Sequence, residues 1–186
     1  MEKILLIGYP GAGKGTQAKL LKPFELYQIS TGDVIRASKD PRIINYRKEQ
    51  YNKGILLSDE LIFEILKQEI ASLPTFTTGY LLDGAVRTLP QAEYVRKHSL
   101  IEKVLYFELS KETAIKRLLE RDEGRRDDSP EAIEGRFEEF NKKTAPIITY
   151  LEQNFEFHMI DSEPSIEKIH LKVLSALNLY NKDFLN

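Results

Sequence analysis

The sequence predicts an α/β fold in which a five-stranded parallel sheet is flanked by helices. Three observations carry this reading. Short apolar runs alternate along the chain with segments of helical period, as in successive βαβ units. The runs are apolar nearly throughout rather than at every second residue, which suits strands covered on both faces. The first run, Ile4-Leu-Leu-Ile7, leads directly into a glycine-rich loop and a helical pattern, the succession of strand, loop and helix.

Strands are expected at residues 3–7, 27–29, 80–82, 103–109 and 157–160. The glycine-rich loop is Gly8-Tyr-Pro-Gly-Ala-Gly-Lys-Gly-Thr16, followed by the helix-like Thr16-Gln-Ala-Lys-Leu-Leu21. Residues 32–73 are more chain than one crossover needs, and Ile62, Ile65, Leu66, Ile70 and Leu73 recur there at helical spacing. A small helical lobe over the sheet is expected. Between Arg117 and Arg136 the chain is highly charged and poor in large apolar residues, so it should form a surface loop or lid. Ser129 and Pro130 read as the N-cap and first turn of a helix carrying Ile133, Phe137 and Phe140 inward. A last helix over 165–177 is expected to pack Ile166, Ile169, Val173 and Leu177 on one face.

At 186 residues the chain can build one domain with a substantial core. A hydrophobic fraction of 41% fits a soluble globular protein. A net charge of −2 gives no global attraction to nucleic acid or an acidic membrane, so neither is an expected partner and any anion site must be local. There are no cysteines, which excludes disulfides, thiolate metal sites and cysteine nucleophiles. No run approaches membrane-spanning length, and the start of the chain enters a strand without a signal-peptide pattern. A cytoplasmic enzyme is the expectation.

A phosphate needs several donors at close range. The glycines at 8, 11, 13 and 15 let the backbone turn so that N–H groups point at one anion, and the following helix adds the positive end of its dipole. Lys14 supplies a mobile cation for the β- and γ-phosphates, and the Thr16 hydroxyl is placed to help hold Mg²⁺. The core is therefore expected to be of the P-loop NTPase type. The general pattern has Ser or Thr directly after the lysine, whereas here Gly15 intervenes before Thr16.

Two more motifs stand at strand ends: Ser30-Thr-Gly-Asp-Val-Ile-Arg36 after the second strand and Gly79-Tyr-Leu-Leu-Asp-Gly-Ala-Val-Arg-Thr-Leu-Pro-Gln91 after the third. With the glycine loop and the segment Gly124-Arg-Arg-Asp-Asp128, they resemble the nucleoside monophosphate kinases, adenylate kinase above all, in a short-lid form. The resemblance spans nearly the whole chain. It implies one kinase domain over 1–186, with a nucleotide-binding lobe at about 30–60 and a lid at about 121–129 lacking any insertion that could hold zinc. It also implies a monomer that moves a phosphoryl group reversibly from ATP, with Mg²⁺, to AMP, giving two ADP.

On this resemblance ATP is held by Gly11, Ala12, Gly13, Lys14, Gly15, Thr16, Arg121 and the loop at Pro164. The implied catalytic cations are Lys14, Arg87, Arg121, Arg125 and Arg136. AMP is assigned to Thr31, Arg36, Ile55, Leu56, Leu57, Gly84, Ala85, Val86, Arg87, Gln91, Arg125 and Arg136. Within that set Arg36 and Arg87 would hold its phosphate, while Thr31 and Gln91 would face its base. Thr16 and Asp83 would organise Mg²⁺, largely through water. Asp33 reads as a turn former with at most a remote part, and Arg117 and Arg126 as solvated surface arginines. The alternatives are a kinase for another nucleoside monophosphate, such as UMP or CMP, and a nucleotide-binding regulatory protein with little turnover.

Three departures from the family pattern stand out. Ala85-Val86 occupies the place of Phe-Pro, which is expected to weaken the acceptor contacts, so that restoring Phe-Pro should tighten AMP binding. Pro164 replaces the usual glycine in the loop carrying the ATP adenine, and the segment between Thr16 and Ser30 is slightly short. His98, His158 and His170 lack metal-ligand spacing, and residues 178–186 carry no readable function.

Overall fold

The computed structural model describes residues 1–51, 55–120 and 129–180. The strands are β1 (Glu2–Gly8), β2 (Leu26–Ser30), β3 (Gly79–Asp83), β4 (Lys103–Glu108) and β5 (Glu156–Asp161). They form one sheet in the order β2-β3-β1-β4-β5, and every pairing is parallel. The helices are α1 (Lys14–Leu20), α2 (Thr31–Ala37), α3 (Pro41–Glu49), α4 (Asp59–Ala71), α5 (Leu89–Lys97), α6 (Lys111–Leu119), α7 (Pro130–Glu139), α8 (Ile148–Asn154) and α9 (Ile166–Ala176).

The strands alternate their side chains between two cores. Leu5, Ile7, Ile29, Leu82 and Val104 meet Ile62, Ile65 and Leu66 of α4, Val95 of α5 and Leu151 of α8. Ile4, Leu6, Leu81, Leu105 and Phe107 meet Ala18 of α1, Leu118 of α6, Phe137 of α7 and Val173 of α9. This two-sided cover is why the central strands are apolar at nearly every position. At the sheet edges it is incomplete: Tyr27 of β2 is 48% exposed and Met159 of β5 59%, because an edge strand has a neighbour on one side only.

Most helices begin on a side chain that satisfies a backbone N–H. Ser30, Ser58, Thr88, Ser110 and Ser129 each accept from the residue three positions on, and Asp40 accepts from Arg42 at 2.8 Å. Each such cap is worth about 1 kcal/mol. These caps divide residues 32–73 into three helices, where the sequence suggested one longer helical stretch. Ile133, Phe137 and Phe140 are buried as expected. Ile166 is the exception: it is 52% exposed, because the first turn of α9 lies at the mouth of a cleft that Ile166 helps to line, while Ile169, Val173 and Leu177 carry the packing.

Register decides where chemistry is placed. Leu6 of β1 and Ser30 of β2 both lie opposite Asp83 of β3, so the ends of β1, β2 and β3 open together at one edge. The connections from β1 and β4 run toward opposite ends of the strand order, to β2 and to β5, the arrangement that opens a ligand crevice in parallel sheets. Among the described residues no helix is long and apolar enough to cross a membrane.

Candidate active site

A cleft of about 680 Å³ opens at this edge, within the range of small-molecule sites. Its floor is the glycine loop. Gly13 is the residue before α1 and takes φ 85°, a left-handed conformation that a side chain disfavours. The Lys14 ammonium folds back over the loop and donates to the carbonyls of Gly8 and Tyr9, each at 2.8 Å. Tyr9 points the other way: its hydroxyl donates to Asn141 Oδ1 at 2.8 Å, and its ring rests on Phe137 and Phe140 with centroids 5.1 and 4.6 Å apart. The loop is thereby tied to α7 and to the π-helical turn Phe140–Thr144 that continues it.

The cleft collects most of the residues singled out from the sequence. Gly11, Gly13, Lys14, Gly15, Thr16 and Pro164 line one end. Thr31, Arg36, Ile55, Leu56, Leu57, Gly84, Val86, Arg87, Gln91 and Arg136 line the rest. Ala12 and Ala85 do not line it: both are fully buried in the cores. Arg121, Arg125 and Arg126 lie outside the described residues.

Another part of the cleft is built around Arg36 and Arg87. Arg36 donates to the Tyr51 hydroxyl at 2.7 Å and to Asp33 Oδ1. Burial opposes its charge, but the carboxylate of Asp33 and the Tyr51 hydroxyl outweigh that and raise its pKa above the usual value. Asp33 thus orients an arginine as well as occupying the first turn of α2. Arg87 donates through Nε to the Gly84 carbonyl at 3.2 Å, and Thr144 Oγ1 donates to the Arg87 carbonyl at 3.1 Å. Gly84, at φ 75°, holds a conformation that a side chain disfavours, and a Cβ there would stand 2.9 Å from Thr31 Oγ1 and 3.0 Å from an Arg87 nitrogen, so those side chains would have to shift.

Asp83 stands between the two halves. Its Oδ2 accepts from Gln28 Nε2 at 3.1 Å and faces Gly15, where a Cβ would lie 3.7 Å from it. One carboxylate in the same cleft as Thr16 suits a small hard cation that keeps several waters and takes its remaining ligands from phosphate. Among the described residues there is no cluster of three His, Cys, Asp or Glu side chains able to hold a metal ion by themselves.

Several residues of the cleft went unmarked in the sequence. Tyr46 of α3 and Tyr51 line it, their rings edge-on at 5.9 Å. The Tyr46 hydroxyl donates to the Ile55 carbonyl at 2.7 Å, and burial pushes its pKa up to about 12. Nothing local marks these tyrosines, since only the tertiary packing brings them to the cleft. Arg117 was expected in solvent; instead it lines the cleft and donates to the carbonyls of Ser162, Glu163 and Pro164 at 2.9, 3.2 and 3.3 Å. A signal existed: Arg117 lies one helical turn before the charged segment that opens at Arg121.

A glycine-rich phosphate loop at the head of a parallel sheet, sharing one cleft with Arg36, Arg87, Arg117 and Arg136, defines a P-loop phosphotransferase that acts on nucleotides. The family model described as adenylate kinase matches residues 6–156. The adenylate kinase of Prochlorococcus marinus is 38% identical over 185 residues, covering 95% of this chain and 97% of its own. That of Flavobacterium johnsoniae is 36% identical over 189 residues, with 96% and 99% covered, and that of Leptospira biflexa 32% identical over 187 residues, with 95% and 100% covered. The chain belongs to the adenylate kinase family of nucleoside monophosphate kinases.

Proposed function

We propose that the protein catalyses reversible transfer of the terminal phosphoryl group of ATP to AMP, giving two ADP. The observation that carries this reading is the single cleft in which the phosphate loop with Lys14 at one end meets Arg36, Arg87 and Gln91 at the other. An oxygen of the AMP phosphate attacks the γ-phosphorus as the bond from that phosphorus to the β–γ bridging oxygen breaks, and no proton need move. What the protein supplies is alignment and compensation of the charge that spreads over the transferring group.

In this reading the backbone of Gly11, Ala12, Gly13, Gly15 and Thr16 cradles the ATP phosphates, and Lys14 leaves its loop carbonyls to reach the β- and γ-oxygens. Mg²⁺, when bound, neutralises part of the phosphate charge; Thr16 and Asp83 would hold it, Asp83 largely through water. The carbonyls at Pro164, set by Arg117, take the adenine of ATP. Arg36 and Arg87 grip the AMP phosphate, and Arg136 bridges toward the transferring group. Arg121 and Arg125 join them when a short lid at about 121–129 and the lobe at about 30–60 close together and exclude water. Thr31, Ile55, Leu56, Leu57, Gly84 and Val86 flank the AMP base, with Ala85 contributing only backbone. The enzyme acts as a cytoplasmic monomer on free nucleotides.

A coupled assay offering AMP, dAMP, UMP, CMP and GMP with Mg·ATP tests the reading. AMP should be the best acceptor, and activity should vanish when the metal is chelated. Transfer to none of them would leave a nucleotide-binding regulator, and a pyrimidine preference would reassign the acceptor.

A further inference from the structure

The acceptor end of the cleft contains a polar relay that the reaction above leaves unused. Asp59, the first residue of α4, accepts through one oxygen, Oδ1, from Thr88 Oγ1 at 3.0 Å and from Gln91 Nε2 at 2.7 Å. The other amide atom of Gln91, Oε1, accepts from the Arg87 backbone N–H at 2.7 Å. Gln91 is only 2% exposed, yet it lines the cleft.

A side-chain amide can ordinarily turn over, exchanging its carbonyl and NH₂ ends. Here neither neighbour can accommodate the exchange, because a backbone N–H only donates and a carboxylate only accepts. A turned Gln91 would set donor against donor at Arg87 and acceptor against acceptor at Asp59, in a place with little access to water. The framework around the carboxylate is fixed as well: Thr88 Oγ1 accepts from Gln91 N–H at 3.4 Å as the cap of α5, and α4 and α5 are joined further along by the stacked rings of Phe63 and Tyr94, centroids 3.8 Å apart.

We infer that Asp59 is a positioning residue that sets purine selectivity, by locking the Gln91 amide in the one orientation complementary to a 6-aminopurine monophosphate and opposed to a 6-oxopurine. The inference rests on the reading that Gln91 faces the acceptor base. With Asp59 and Arg87 satisfied, Gln91 retains one Nε2 proton and one Oε1 lone pair. A 6-aminopurine presents a ring-nitrogen acceptor beside an amino donor, whereas a 6-oxopurine presents a ring N–H donor beside a carbonyl acceptor. A freely turning amide could serve either edge; a locked one leaves the second with unmet buried groups, and that is the stronger form of discrimination.

The test is a competition assay in which AMP and IMP are phosphorylated in the same tube by the wild type, Asp59→Asn and Asp59→Ala. Both acceptors draw on the same folded molecules, so their ratio is independent of how much of each variant folds. Asp59→Asn can donate or accept, and Asp59→Ala does neither, so each removes one of the two contacts that hold the amide and lowers the cost of turning it against the Arg87 N–H alone. The preference for AMP over IMP should fall about tenfold in both variants through the acceptor KM, with the KM for ATP unchanged. In a Gln91→Ala background Asp59→Asn should leave the ratio as it is. An unchanged ratio in the single variants, equal loss of both acceptors, or the same fall without Gln91 would overturn the assignment. A wild type that phosphorylates neither purine would instead overturn the AMP-acceptor reading on which it stands.

Discussion

Arg36 and Tyr51, fifteen residues apart in the chain, meet in the cleft through a hydrogen bond of 2.7 Å from the guanidinium to the phenol oxygen. An arginine that must grip a phosphate in a fixed geometry loses less freedom on binding if it is already held. Tyr51→Phe keeps the ring and removes this hold while leaving that of Asp33, so the KM for AMP should rise roughly fivefold, about 1 kcal/mol, while that for ATP stays put. Steady-state kinetics with each nucleotide varied in turn checks this; an equal rise in both constants would show that Tyr51 acts on the fold as a whole.

Lys14 rests on two carbonyls of its own loop, a position from which it can move to phosphate without unfolding anything. Lys14→Ala should lower kcat by about a thousandfold or more, since it removes a charge directed at the transferring group. Thermal melting should barely change. A folded variant retaining most of its activity would remove Lys14 from the mechanism.

Arg117 satisfies three successive carbonyls from Ser162 to Pro164. Arg117→Ala should loosen this loop and raise the KM for ATP about tenfold with little effect on AMP, reflecting charge-assisted bonds worth about 1.5–3 kcal/mol each when buried and less here, where the side chain is partly exposed. Isothermal titration with a non-hydrolysable ATP analogue measures it. An effect confined to AMP would place the loop in the wrong half of the cleft.

Ala85 and Val86 pack in the core cluster that also holds Tyr46, Leu57 and Ile62. That alters the expectation from the sequence, in which restoring Phe-Pro tightens AMP binding. A phenyl ring at a fully buried alanine overpacks the core, so Ala85→Phe should destabilise by about 1–3 kcal/mol, and the double replacement should lower the melting temperature without lowering the KM for AMP. Tighter AMP binding at unchanged stability would show that the turn has room for the ring.

His170 Nδ1 lies 2.9 Å from Gln17 Oε1, and Gln17 Nε2 donates to the Ile166 carbonyl at 3.1 Å. The glutamine therefore presents its oxygen, and Nδ1 of His170 carries the proton. Burial lowers the pKa of this histidine. The unfolded chain then binds the proton more readily, so stability is fully present above the ordinary histidine pKa of about 6.5 and declines as pH falls from there through the lower folded value. His170→Asn should flatten that part of the melting temperature profile; a slope that survives the substitution would trace to other groups.

The strands and the glycine loop were legible in the sequence because each depends on local chemistry. An apolar run buried on both faces, glycines at left-handed turns and Ser or Thr caps leave their mark within a few residues. The adenylate kinase motifs are of this kind, and Lys14, Arg36, Arg87 and Gln91 fall where they led. What only the tertiary structure decided is contact between distant segments: Tyr51 on Arg36, Arg117 on the loop at Pro164, Asp59 on Gln91, and Ala85 closed into the core. None of these has a period or a motif. A tyrosine, a surface-like arginine and a first-turn aspartate look the same in sequence whether they face water or a partner, and it is the packing of distant segments around one cleft that gives each its partner.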